Sequence, residues 1–427
     1  MSQVGSLTLS AIGASVARAP RLWVVSELYH PELTSTGYFL TGLAEGMAAS
    51  RVVRVICSQP TYAARGTRAA TTEVRNGVHI ERCVGTRFDK DRLALRLINL
   101  VTISVSIGWL VFRRVRRGDV VLVVTNPPSL PFVVYPAAHL RGARVVLRIE
   151  DVYPEVLIAA GMSKPSSLLV RLVGAATRML YRRMERIVVL GRDMSILVGA
   201  KLGERANRMV RIPNWGDIDS VSPLPRVSNA VLARIGASDK FVVQYMGNMG
   251  RTHGVDTLAA AALRLRGVPG LHFLFIGWGA RKAALEAMVS DERLTHVSVL
   301  PACSQEELSM HVNAADLVVI AFQEGMAGVS VPSRMYNVMA AGKPILAVAE
   351  SHSELACAVL EERIGWVVTP NDVDALATAI MHAAAMLQDE LLAMGARARE
   401  AAVSRYSKPP VIAAYMRLMD DLETAGE

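Results

Sequence analysis

Three groups of residues in this 427-residue chain have the types and spacing for chemistry on a phosphorylated ligand. In EGMAGVSVPSRMYNVMAAGKPIL, Glu324 to Leu346, Val331 and Pro332 interrupt regular structure, Ser333 is placed to cap the helix that follows, and Arg334 falls in its first turn. A cation is unfavourable beside the positive end of a helix, so Arg334 is expected to reach outward, where it and unbonded backbone N–H groups could share a phosphate. The alternative is an ordinary helix with a solvated arginine. The second group is GNMGRTHG, in which Gly247, Gly250 and Gly254 let backbone N–H groups approach a phosphate and Arg251 and His253 could add charge-assisted bonds. The third is the pair Glu150 and Asp151 at the end of ARVVLRIED. Asp151 there could orient or deprotonate a hydroxyl, or it could cap the following turn.

These groups need a scaffold that brings strand ends together, and the chain alternates strand-like and helix-like segments throughout. Strands are expected at RLWVVSEL, VVRVICS, GVHIERC, DVVLVV, ARVVLRIE and RIVVLG in the first half, and at FVVQYM, LHFLFIG, VSVL, DLVVIAF, ILAVA and WVVTP in the second. A helix from about Tyr38 follows the turn YHPELTSTG, another runs from Lys164 to Met184, and helices close the chain. The pattern is that of α/β folds whose parallel sheets place ligands at the carboxyl ends of strands. RIPNWGDIDS, with prolines on both sides, reads as the crossing between two domains. Its Asp217 and Asp219 stand at a metal-ligating spacing but carry no supporting pattern, so no metal site is expected.

Composition narrows the partners. The apolar fraction of 52% with 5% aromatics excludes a disordered chain, and four widely spaced cysteines (Cys57, Cys83, Cys303, Cys357) read as reduced core thiols in a cytoplasmic protein. Residues 1–213 carry 30 Lys and Arg against 14 Asp and Glu, net +16, while the rest carry 17 against 24, net −7, which gives the overall +9. The basic half should face something anionic. No recognition motif or aromatic interleaving supports nucleic acid, so an anionic membrane surface or a lipid diphosphate fits better. Residues 1–20 end in ARAP but lack a basic start, and are expected to be a loose tail rather than a signal peptide. LALRLINLVTISVSIGWLVF, Leu93 to Phe112, could span a bilayer by length, but Arg96, Asn99 and its hydroxyls point first to a buried helix and second to an amphipathic helix resting on a membrane. Its flanking Arg113 to Arg117 cluster would attract anionic lipid.

PSRMYNVMAAGKPIL resembles the donor-site segment of glycosyltransferase family 4, retaining enzymes of GT-B fold. The resemblance covers about residues 21–400 and rests on several motifs in order. YHPELTSTG resembles the loop of the colanic-acid-type members, with Gly37 where many members have a glycine pair. FVVQYMGNMGRTHG and IGWGARK, with Gly277 and Gly279, resemble the two glycine turns of the donor domain. The resemblance implies two Rossmann-like domains: an acceptor domain over residues 21–212 and a nucleotide-sugar donor domain over residues 213–404. It also implies a final segment, 405–427, that can cross back onto the first domain. Donor contacts are implied for Gly37, Gly247, Asn248, Gly250, His253, Gly277, Gly279, Ser333 and Asn337. Catalytic roles are expected for Asp151, Arg251 and Arg334, with no metal and no other cofactor; for Asp151 the resemblance supports a site there without fixing its role.

The sequence also departs from the family. Two Glu separated by seven residues are usual, and here Val329 and Asn337 occupy those places. Asn337 can bond a hydroxyl but, being neutral, more weakly. Many members have an Arg and a Lys where Asn248 and His253 stand, and Arg251 is the candidate to restore that charge. The implied activity is transfer of a sugar from a nucleotide-diphosphate donor to a lipid-linked saccharide on a polyprenyl diphosphate, by a cytoplasmic enzyme peripheral to the inner face of the membrane. A sugar-nucleotide 2-epimerase of the same fold, and a binding or assembly protein with a decayed donor site, are the alternatives. A nicotinamide oxidoreductase is disfavoured, because no GxGxxG with a downstream acid follows the first strand.

Overall fold

A computed structural model of the chain describes residues 20–32, 34–60, 68–86, 88 and 93–424. Residues 1–19 of the expected tail and Arg65 of the basic segment after Val52 to Ser58 lie outside the described residues, as does the side chain of Arg96.

The strands of the first half are β1 (Leu22–Val25), β2 (Val53–Ser58), β3 (Thr72–Arg75), β4 (Val78–Cys83), β5 (Val120–Val124), β6 (Arg144–Arg148), β7 (Arg186–Val189) and β8 (Met209–Arg211). They form an eight-stranded sheet in the order β3-β4-β2-β1-β5-β6-β7-β8, parallel except for the β3–β4 pair. That hairpin turns at Asn76 and Gly77, both at positive φ, the backbone that a two-residue turn between twisted strands requires. The second half supplies β9 (Phe241–Asn248), β10 (Leu271–Trp278), β11 (Val297–Leu300), β12 (Leu317–Ala321), β13 (Ile345–Val348) and β14 (Gly365–Val368). These build a six-stranded parallel sheet in the order β11-β10-β9-β12-β13-β14. Strands such as β5 and β12 are apolar and buried along their whole length because helices cover both faces.

Alternate residues of the first sheet feed two cores. Val25, Val121, Val123 and Leu147 pack on one face against the helices Leu93–Arg114, Leu130–Leu140, Leu168–Tyr181 and Arg192–Leu202. On the other face Val24, Leu122 and Val146 meet the helix Ser35–Ala48 and the C-terminal helix Lys408–Thr424. The chain thus crosses between sheets twice. The first crossing follows β8, where Trp215 is buried edge-to-face on Phe39 at 4.8 Å. The return passes Tyr406, whose carbonyl accepts the Gly216 N–H at 2.8 Å, and delivers Tyr415, Leu418 and Met419 to the first domain's core.

The helix expected at Lys164 to Met184 starts later, at Leu168, because Ser167 caps it through the Val170 N–H. Leu93–Arg114, expected foremost as a buried helix, is buried on one side only: Ile103, Ile107 and Val111 enter the core, while Val101, Val105 and Trp109 are exposed. Among the described residues no helix is long and apolar enough to cross a membrane.

Candidate active site

Both sheets reverse strand order beside their first strand, between β1 and β5 and between β9 and β12, and at such points helices leave in opposite directions and open a crevice. The crevices face each other across a cavity of about 550 Å³. Its first-domain wall is Thr34, Ser35 and Thr36 after β1, Asn126 after β5, and Glu150 and Asp151 after β6. The opposite wall is Gly247 and Asn248 at the end of β9, Thr252 and His253 in the turn that follows, Trp278 at the end of β10, and Ser330 to Arg334.

Arg334 lines the cavity and leans on β9. Its Nη1 donates to the Met246 carbonyl at 3.1 Å, and its guanidinium lies over the Tyr245 ring, 4.7 Å from the centroid. Gly247, at φ 135°, makes room for it: a Cβ there would come within 3.1 Å of Nη1. The helix behind it, Arg334–Ala340, is short, and Ser333 does not cap it. The Ser333 hydroxyl instead accepts from Ser35 Oγ at 2.8 Å, a bond between the two domains.

His253 supplies no charge. Burial, then the neighbouring Arg334 cation, push its imidazole down to about 3, so it is neutral at physiological pH, with Nδ1 at 3.2 Å from Thr252 Oγ1. Arg251 is exposed at the outer tip of the turn and lines a separate depression with Gly161, Asp256 and Arg281, so it cannot replace the charge lost at Asn248 and His253. Arg334 is the only Arg or Lys that lines the cavity among the described residues.

The glycines divide into those at the cavity and those behind it. A Cβ on Gly250 would meet the Asn248 amide at 3.2 Å, so the turn is folded closely around that side chain. Gly277 and Gly279, at φ 147° and 143°, are pressed on backbone: a Cβ would come within 1.9 Å of the Gly247 carbonyl and 2.5 Å of Met249. They hold the β9 turn in place and do not line the cavity. Gly37 lies inside the first turn of Ser35–Ala48, where its N–H bonds Thr34 Oγ1 at 3.2 Å, and the residues facing the cavity are its predecessors.

The two places where Glu is usual are joints between parts of the molecule. Val329 is buried with Phe322 and Met326, and its carbonyl accepts the Val152 N–H at 2.9 Å, from the other domain. Asn337 is turned away from the cavity lining: its Oδ1 accepts the Asp217 N–H at 2.9 Å in the crossing segment. Asp217 in turn caps Ser220 through Oδ1 at 3.1 Å. No group of three or more His, Cys, Asp or Glu among the described residues could hold a metal ion.

Asp151 pairs with Ser330 as an isolated antiparallel bridge across the cleft. Burial pushes its carboxyl up to about 6, against a hydrogen bond from Ser330 and with Glu150 nearby. Glu150 is itself held by Arg148, a fully buried cation whose Nε donates to Glu150 Oε1 at 2.7 Å and whose Nη2 donates to Asn214 Oδ1 at 2.6 Å. Asn214, Thr252 and Trp278 are cavity residues that sequence reasoning missed. Trp278 had a signal: a tryptophan between two glycines at the end of an apolar strand has no core position to enter, and it is 51% exposed.

Residues 36–215 match the family model described as a glycosyl transferase 4-like domain, and residues 240–385 match the model for glycosyl transferases group 1. The chain is 35% identical over 299 residues to the probable glycosyltransferase WbjE of Pseudomonas aeruginosa, covering 69% of this chain and 73% of that protein. It is 26% identical over 379 residues to the putative colanic acid biosynthesis glycosyl transferase WcaI of Escherichia coli K12, covering 83% and 90%. Among solved structures, HepE of Anabaena in complex with UDP and glucose superposes with a TM-score of 0.71 at 14% identity, over 94% of this chain and all of that one. With two facing Rossmann-like domains and this similarity along both of them, the chain belongs to glycosyltransferase family 4 and is a glycosyltransferase of GT-B fold.

Proposed function

We propose that this enzyme moves a sugar from a nucleotide-diphosphate donor to a lipid-linked saccharide in surface polysaccharide synthesis, with retention of anomeric configuration and without a metal. The observation that carries the reading is the cavity itself, lined both by Arg334, which leans from the start of its helix onto β9, and by Asp151, which follows β6. Negative charge grows on the diphosphate as the glycosidic bond breaks, and Arg334, with backbone N–H groups of the turn after β9, would stabilise it in a place partly closed to water. A protonated Asp151 could donate to, and an ionised one accept from, an acceptor hydroxyl, and its raised pKa puts that change near neutrality. The WcaI name refers to colanic acid biosynthesis and the HepE structure holds UDP, which supports a surface polysaccharide and a nucleotide-sugar donor for this chain as well.

Thermal stabilisation by UDP, GDP and ADP, each with and without magnesium, tests the donor. A shift with one nucleotide that does not need magnesium is expected. No shift with any of them would overturn the reading in favour of a protein with a decayed donor site. Proton NMR of the first product formed would give its anomeric configuration, and an inverted linkage would rule out retention.

A further inference from the structure

Leu168–Tyr181 is apolar on two opposite faces. Val170, Thr177, Leu180 and Tyr181 turn into the protein, while Leu168, Leu172 and Met179, spaced as one stripe, are 68%, 60% and 52% exposed. A surface helix normally covers its outward face with charge, and an exposed apolar stripe on a second face marks a contact with something outside the protein. The stripe is flanked by Arg171, Arg178 and Arg182, all exposed, and Leu168 to Arg183 contains no Asp or Glu. On the same side of the eight-stranded sheet, Leu93–Arg114 exposes Val101, Val105 and Trp109 and leads into exposed Arg116 and Arg117.

We propose that this side of the first domain, centred on Leu168–Tyr181, docks on an anionic lipid surface. The leucines and methionine enter the acyl boundary, and the arginines keep their stems over it and their guanidinium groups among lipid phosphates. Charge complementarity selects this occupant: the charges on the helix beside the apolar stripe are all arginine, the neighbouring Glu155 is paired with Lys201 and Glu204 stands beside Arg205, and residues 1–213 carry net +16, which matches phosphate headgroups over hydrocarbon. The placement also suits a lipid-carried acceptor, on which the inference rests. A depression of about 550 Å³ lies between this helix and Pro154, Glu155 and Ile158, which follow Asp151 in the chain. A lipid held there lies next to the acceptor-side wall of the cleft.

Cosedimentation with phosphatidylcholine vesicles, with and without phosphatidylglycerol, tests it. The full chain is expected to pellet with the anionic vesicles, less so at high salt and not with neutral ones. Leu168→Ser/Leu172→Ser/Met179→Ser and Arg171→Glu/Arg178→Glu/Arg182→Glu should each lose about tenfold or more in vesicle affinity. Both variants should keep the stabilisation by nucleotide, which shows that they are folded. Unchanged pelleting of both variants, or wild-type protein that stays in the supernatant, would overturn the proposal. So would a wild-type dimer that either variant makes monomeric while vesicles bind neither. Vesicle binding without nucleotide stabilisation would leave the docking surface standing and sink the donor reading, and the converse result would do the opposite.

Discussion

Arg334 carries more of the cavity's positive charge than its sequence neighbours suggest, because Arg251 points elsewhere and His253 is neutral. Arg334→Ala is therefore expected to weaken nucleotide binding by roughly 1.5–3 kcal/mol, the range for hydrogen bonds to charged groups. Arg334→Lys should recover only part, since an ammonium cannot keep both the Met246 bond and a flat contact with Tyr245. Calorimetric titration of the nucleotide into both variants checks this, and wild-type affinity in Arg334→Ala would remove the residue from the site. Asp151 makes a prediction of opposite sign for stability and activity. Its carboxyl ordinarily titrates at 3.8 and is raised to about 6, so the folded state is penalised when Asp151 ionises. The penalty is absent below 3.8, grows as pH rises through that window, and is complete above about 6. Asp151→Asn should be more stable than the wild type at pH ~8, by on the order of 2 kcal/mol, and no more stable at pH ~3.5. Its sugar transfer should fall while nucleotide binding persists. Urea melts at the two pH values and a transfer assay check both halves.

At the scale of elements, the second-domain wall of the cavity depends on how closely β10 approaches β9. Gly277 has no room for a side chain and a φ that L residues rarely adopt, so Gly277→Ala must push the Gly247 turn away. A loss of roughly 3 kcal/mol or more is expected by chemical denaturation, with nucleotide binding damaged in the folded fraction. Asn248→Ala, which removes a cavity-lining side chain without touching backbone, should by comparison leave stability within about 1 kcal/mol. Equal losses in the two variants would contradict the division between supporting and lining residues. The crossing segment is similarly tight: a Cβ on Gly216 would lie 2.5 Å from the Tyr336 carbonyl.

The whole molecule is tied together at Arg148. This buried cation joins Glu150 in the cavity wall, Asn214 in the crossing segment and, at 3.2 Å, the Tyr415 hydroxyl of the returning C-terminal helix. Removing one partner of a buried, hydrogen-bonded ion pair typically costs 3–5 kcal/mol, so Arg148→Ala should destabilise by about that much. It should also lower transfer, because Glu150 loses the cation that holds it in the cavity wall. Denaturant unfolding and turnover measured together would separate the effects, and a stable but inactive variant would assign Arg148 to positioning alone. A second tie lies at Asp193, whose Oδ2 accepts the N–H groups of Gly328 at 2.8 Å and Glu354 at 2.9 Å from the second domain. Arg192 beside it pairs with Glu354 and Glu361, so the two domains are joined by charge as well as by the Val152 and Val329 backbones.

By itself the sequence determined the layered α/β architecture, the strands other than the edge strands β3 and β8, and the family. Those depend on local patterns: apolar runs such as Val120 to Val124 and Leu317 to Ala321 are buried wherever they occur, and glycine turns follow strands regardless of what lies opposite. It also placed Asp151 and Arg334 at strand and helix ends, where a parallel sheet meets ligands. Only the tertiary structure decided where side chains point. Ser333 is drawn from its helix by Ser35, Asn337 by the backbone of Asp217, and Arg334 by Tyr245 and Met246. None of these partners is near in sequence. The same holds for Leu168–Tyr181, since which of its two apolar faces is covered depends on a sheet assembled from distant segments.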